Sequence, residues 1–335
     1  MSENKRLHNI EFSVLDLAPI LEGSTAANSF KDSLRLAQHV EDFGYKRYWV
    51  AEHHNMPGIA SSATAIVIGY IAAGTSKIRV GSGGIMLPNH APLVVAEQFG
   101  SLESMYPGRI DLGLGRAPGT DHHTARALRR NHQSDGSEFP QHLAELRSYL
   151  KPATPSPVRA IPGEGLDIPI WLLGSSGFSA QLAAQQGLPF AFASHFAPDY
   201  LLPALDLYRK NFRPSQVLEK PYVMIGVNVI ASETDEKARW LATSQEQAFL
   251  NIIHGKSGQL KPPVQNMDEI WSPYEKTLVQ KMLHYSVTGS QTTVREKLQS
   301  FLDETGADEM IVNTHVFDQE ERINTYRLLA EAVKR

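Results

Sequence analysis

Apolar residues follow two alternating rhythms along this chain. Residues 10–15, Ile-Glu-Phe-Ser-Val-Leu, have the character of a strand, and residues 28–43 repeat apolar side chains at helical spacing until Gly44 stops them. The same pair of rhythms returns at 47–52 with 62–73, at 78–85 with 92–105, and at 109–115 with a long polar helical stretch. Residues 151–167, rich in proline and glycine, read as an excursion, because the alternation resumes directly after them. Units five and six are 169–173 with 179–186 and 189–194 with 199–211; 222–230, 234–253, 309–313 and 319–334 complete seven and eight. Eight consecutive β/α units, with no Gly-x-Gly-x-x-Gly after the first strand, predict an α/β fold of the closed (β/α)8 TIM-barrel type rather than an open doubly wound sheet. A single domain over 1–335 is expected, with insertions near 151–167 and 255–274. The second is too long and polar for a tight connection, and reads as a lid, a rim segment or a disordered loop.

Residues 64–73, Thr-Ala-Ile-Val-Ile-Gly-Tyr-Ile-Ala-Ala, are apolar all round, whereas an outer barrel helix needs one apolar stripe. Burial under the insertions is one reading; a subunit interface, and hence a homodimer, is the expectation. Composition narrows the rest. With 42% hydrophobic and 20% charged residues the chain can build a full core, and a net charge of -4 supplies no field for nucleic acid. The absence of cysteine excludes disulfides, thiolate nucleophiles and iron–sulfur clusters, so redox chemistry would require a bound cofactor. The first eight residues are polar and no stretch suits a bilayer span, so a cytoplasmic protein with no membrane partner is expected.

In a TIM barrel the residues just after each strand converge on one mouth. Here they are Glu52-His53-His54-Asn55, Gly83-Gly84, Gly115-Arg116, Gly174-Ser175-Ser176-Gly177 and Ser194-His195. Glu52-His53-His54 admits three readings: metal ligation completed by His195 or His90, histidines satisfied by loop hydrogen bonds, or a general acid or base. In an extended segment Glu52 and His54 point one way and His53 the other, which argues against a metal. Gly83-Gly84 leaves a wall without Cβ atoms against which a flat ring could pack, or else marks a β-bulge. Arg116 and the serines at the start of the fifth helix suit a phosphate, although serines there also serve as caps.

Tyr48-Trp49-Val50-Ala51-Glu52-His53-His54, residues 80–88, residues 108–116 and Gly187-Leu188-Pro189 then stand in an order that resembles the luciferase-like monooxygenases, flavin-dependent barrel enzymes that include bacterial luciferase. The resemblance implies reduced FMN as co-substrate, reacting with dioxygen to a flavin C4a-hydroperoxide that oxidises a small organic substrate, an aldehyde or similar. It implies His53 as the catalytic histidine, helped into place by Glu52, and Gly83-Gly84 as a non-proline cis peptide against the flavin ring. Arg116 with Gly174, Ser175, Ser176 and Ser179 would hold the phosphate, at strands four and five where the general barrel tendency is seven and eight. Two departures stand out: Ser175 replaces a carboxylate of luciferase, and Gly115 its reactive cysteine. His54 and His195 are assigned to the substrate side, with Met56, Ile59, Met86 and Phe196 as apolar lining that fits aldehydes, terpenoids and aromatics alike. No nicotinamide fingerprint is visible, so a separate flavin reductase is expected. A deazaflavin-dependent hydride transfer and a non-catalytic flavin-binding protein are the alternatives.

Overall fold

The computed structural model describes residues 5–117, 121–128, 136–151 and 156–334. In chain order the elements are β1 (Glu11–Asp16), α1 (Ala26–Phe43), β2 (Arg47–Val50), α2 (Thr64–Ala73), β3 (Arg79–Ser82), β4 (Ile85–Met86), α3 (Pro92–Met105), β5 (Ile110–Gly115), α4 (His122–Leu128), α5 (Phe139–Leu150) and β6 (Ile170–Gly174). There follow α6 (Gly177–Gln186), β7 (Phe190–Phe192), α7 (Leu201–Asn211), β8 (Val223–Ala231), α8 (Asp235–Ile253), α9 (Pro273–Met282), β9 (Val287–Gly289), α10 (Gln291–Thr305), β10 (Glu309–Asn313) and α11 (Gln319–Val333). Strands β1, β2, β3, β5, β6, β7, β8 and β10 pair in parallel, and β10 returns to β1, closing the predicted barrel.

Period-two alternation sorts side chains between the two layers of the barrel. On β2, Tyr48 and Val50 turn outward into the core beneath the helices, while Trp49 turns inward with Leu15, Trp171, Ala191, Met224 and Ile311. Helix ends follow local chemistry: Thr25, Thr234, Ser272 and Asp318 cap their helices through side-chain oxygens, and Gly44 ends α1 in the left-handed conformation, φ 90°.

Three things differ from the sequence reading. The polar stretch after β5 contains two helices, α4 and α5, rather than one. Short strands β4 and β9 pair beside β5 and β8, and α9, β9 and α10 fill the interval between units seven and eight. β9 and α9 carry few apolar positions, whereas Val294, Leu298, Phe301 and Leu302 of α10 stand at helical spacing, a signal present in the sequence. Third, residues 255–274 pack as a rim segment, one of the three readings, and not as a free loop. Leu260 bridges to Leu21, a 3-10 turn lies at Met267–Glu269, and Met267 and Trp271 pack with Phe249, Leu250 and Val279. Part of the 151–167 excursion, residues 152–155, lies outside the described residues; beyond it Gly163 seats against Gly100 of α3, where a Cβ would come within 2.2 Å of the Gly163 Cα. Helix α2 leaves Ile66 75% and Tyr70 43% exposed, beside exposed Val94 and Met105 of α3.

The N-terminal floor of the barrel is charged and fully paired. Arg47 donates to Glu309 Oε1 at 2.8 Å and to Asp111 Oδ2 at 2.9 Å, and lies over the Trp171 ring at 4.7 Å. Arg79 binds the other Asp111 oxygen at 2.7 Å, and Tyr222 and Ser13 donate to Glu309. Burial works against the Arg47 charge, but the two carboxylates outweigh it and hold the guanidinium protonated.

Candidate active site

At the other end of the barrel a cavity of about 830 Å³ opens between the strand ends, within the size range of small-molecule sites. Its inner wall is Leu15, Trp49, Gly83, Leu173 and Ile311, its rim the loops after β1 and β2 with residues 255–260. Those rim segments are knitted by backbone bonds: Ile20 N–H to Gly58 O, Leu260 N–H to Ile20 O, and Glu22 N–H to Leu260 O. Gly58 must be glycine there, since a Cβ would lie 1.8 Å from Gly258 O.

The Gly83-Gly84 peptide is cis, as expected from the resemblance. Gly83 lines the cavity, and a side chain on it would strike Leu15 and Trp49, so the wall is bare by close packing. Arg116, Ser175, Ser176 and Ser179 gather at one end of the same cavity with Gly174. Gly174 cannot carry a Cβ, which would meet the Ser179 hydroxyl at 2.7 Å. Ser176 is the N-cap of α6 yet accepts no capping bond, and the Arg116 guanidinium has no carboxylate partner among the described residues; it rests on the Phe178 ring at 4.3 Å. An unpaired guanidinium beside an uncapped helix start is the donor set a phosphate needs. Pro118 and Gly119, which follow Arg116 in the sequence motif, lie outside the described residues.

Glu52 and His53 part company, as the extended-chain argument requires. His53 lines the cavity, whereas the buried Glu52 carboxylate points behind the wall and accepts from His54 Nε2 at 2.8 Å, His90 Nε2 at 2.9 Å, Met86 N–H at 3.0 Å and Asn89 Nδ2 at 3.3 Å. Glu52 therefore does not place the His53 ring by a side-chain bond; its partners are the neighbouring loop and His54. Burial raises its pKa, but the bonds from His90, His54 and Met86 win and hold the carboxyl below its usual range. Glu52, His54 and His90 bring ligand atoms within 4.8 Å of one another, so His90 does join them as the metal reading required. The carboxylate, however, is already occupied by four N–H donors. His53 is lowered by burial, against the pull of Glu52 and with that of His54, and is a neutral imidazole near pH 7.

His195, the other substrate-side candidate, lines the cavity from the turn after β7. Sequence reasoning missed His315, which lines it from beyond β10. The signal was available: Thr314-His315 follows β10, a position equivalent to the other five polar strand ends.

A family model described as luciferase-like monooxygenase matches residues 10–309. The chain belongs to that family. A luciferase-like monooxygenase of Escherichia coli (strain K12) is 57% identical over 95% of this chain and 96% of its own length. The crystal structure of apo-MsnO8 superposes with a TM-score of 0.91 and 38% identity, over 98% of this chain and 99% of that one. The oxygenating constituent of 3,6-diketocamphane monooxygenase from the CAM plasmid of Pseudomonas putida, solved in complex with FMN, shares the fold at a TM-score of 0.74 and 16% identity, over 97% and 98% of the two chains. The family placement makes the chain an enzyme of the monooxygenase kind, and the cavity at the C-terminal strand ends is where a barrel enzyme of this fold carries out its chemistry. No helix of the described residues is long and apolar enough to cross a membrane.

Proposed function

We propose that the chain is a cytoplasmic FMN-dependent monooxygenase that uses reduced FMN and dioxygen to oxidise a small organic substrate, such as an aldehyde, with reduced flavin delivered by a separate reductase. The observation that carries this is the phosphate-type donor set of Arg116, Ser175, Ser176 and the α6 N-terminus at one end of a cavity whose adjoining wall, at Gly83, is bare. When bound, reduced FMN supplies the activation of dioxygen and the transfer of one oxygen atom to the substrate, the other leaving as water. Arg116 and the serines would hold the phosphate, and Gly83, which carries no side chain where Leu15 and Trp49 pack, would leave the cavity wall open to a planar ring. Leu15, Met86 and Phe196 keep water from the reacting face. His53, neutral and partly open to the cavity, holds or moves a proton at its ring nitrogen.

The test is titration with oxidised FMN, then anaerobic photoreduction and mixing with oxygen in the presence and absence of decanal. Binding followed by decanal-dependent oxidation supports the reading; tight binding with no oxidation of any offered substrate makes the chain a flavin carrier. Binding of a deazaflavin in place of FMN makes it a hydride-transfer enzyme. The dimer proposal rests on the apolar outer face of α2 at Ile66 and Tyr70. Ile66→Asp is expected to convert a dimer to a monomer in sedimentation with FMN binding kept; a wild-type protein monomeric at every concentration removes the dimer.

A further inference from the structure

Three imidazoles meet at the cavity floor, and among the described residues none of their nitrogens is engaged. His53, His195 and His315 each line the cavity, and each has an Nδ1 atom enclosed by protein with no hydrogen-bond partner. No group among the described residues bonds the other nitrogen, Nε2, which lies on the part of the ring open to the cavity. An enclosed N–H without an acceptor is costlier and rarer than an enclosed lone pair, so the proton of each neutral ring belongs on Nε2. The floor therefore presents N–H donors that lack acceptors.

His195 is seated with unusual care for a loop residue. Its ring lies against Gly226 of β8, where a Cβ would come within 2.2 Å of Nδ1, so this strand position must be glycine for the ring to occupy its place. Asn228 Nδ2 donates to the His195 carbonyl at 2.5 Å, Ser194 Oγ donates to Gly226 O at 2.6 Å, and Phe196 meets the ring edge-on at 4.9 Å. His315 is held edge-on by Phe249, ring centres 6.0 Å apart, beside Thr314, which donates to Val229 O at 2.9 Å. The two rings are close enough that a charge on one opposes a charge on the other, and burial keeps both neutral, with pKa values pushed down to about 3 for His195 and about 4 for His315.

We propose that His195 and His315 form a donor pair that holds an oxygen acceptor, a carbonyl or similar neutral group, at the inner end of the organic substrate. This rests on the monooxygenase reading above and narrows its substrate to molecules that carry such an oxygen. A purely aliphatic substrate would leave both donors buried and unpaired, a loss that a site built around them turns into discrimination. A carboxylate fits less well, because neither ring carries a charge to balance it.

The experiment compares 2-octanone with 1-octene, matched in length and differing in the acceptor, by quenching of tryptophan fluorescence in protein with and without bound FMN. Wild type is expected to prefer the ketone by about tenfold or more, two neutral hydrogen bonds of ordinary net strength. His195→Leu with His315→Leu abolishes the preference while FMN affinity stays the same, and His195→Gln with His315→Gln, which restores an N–H near the Nε2 position, recovers most of it. An unchanged preference in the leucine variant overturns the proposal, as does a parallel fall in FMN affinity, which would assign the pair to the flavin. If wild type fails to bind FMN the cofactor reading falls instead, and the ketone preference in cofactor-free protein still judges the donor pair.

Discussion

The two ends of the barrel treat polar side chains in opposite ways. At the N-terminal floor, Arg47, Asp111, Glu309, Arg79, Tyr222 and Ser13 satisfy one another. At the C-terminal mouth, among the described residues, Arg116 meets no carboxylate, the Ser176 side chain makes no capping bond, and His53, His195 and His315 have Nδ1 atoms without a partner. Both ends are equally part of one closed sheet, so the difference is not one of folding quality. Paired groups contribute to holding the fold together; unpaired ones are what the proposed cofactor and substrate would engage.

That contrast can be broken at either end. Arg47→Met should leave Glu309 as a buried uncompensated carboxylate, with Asp111 keeping Arg79 alone, and lower stability by about 3–5 kcal/mol in urea unfolding. A loss below about 1 kcal/mol would mean the floor is not the structural end. His53→Ala, at the mouth, should reduce oxygen-dependent turnover by about 100-fold, the low end for a positioned acid or base, with little change in urea midpoint. Unchanged turnover would remove His53 from proton handling. Arg116→Ala should weaken FMN binding by roughly 10- to 100-fold while riboflavin, which lacks the phosphate, binds as before; the difference isolates a charge-assisted contact. Equal weakening of both would move the phosphate elsewhere.

The smallest effect sharpens the border between the two ends. Glu52 belongs to the mouth by position and to the floor by behaviour, for its carboxylate is fully engaged. Its folded pKa is depressed, so its bonds stabilise the fold at pH above the unfolded value, and the gain is lost as pH falls through the lower folded value. Glu52→Gln should flatten the acid limb of the stability profile below the ordinary glutamate range, the smallest of the four effects. An acid limb identical to wild type would show that the carboxylate is not held in its charged form.

Much of this was legible in the sequence, and the boundary of legibility is physical. Strand and helix rhythms locate the barrel because burial on a pleated or helical surface imposes a period on the residues themselves. Arg116 and Ser175 could be read from position, since strand ends converge. Arg47 could not be told from an exposed arginine, because pairing with Glu309 across 262 positions leaves no local trace. Glu52 and His53 are adjacent in sequence yet face different environments, and only the side-chain directions separate a hydrogen-bond hub from a cavity residue. His315, two residues past β10, was equally legible from position by the same convergence of strand ends.

The closure of β10 onto β1 carries a consequence for how the chain is made. Arg47 leaves the ribosome long before Glu309, and at ordinary elongation rates the interval is on the order of tens of seconds. Throughout that time the nascent sheet has two raw edges, and Arg47 can meet Asp111 but not Glu309. Synthesis of this enzyme is therefore expected to depend on protection of the unfinished barrel, and a rare-codon pause placed shortly before β10 would lengthen its most vulnerable period.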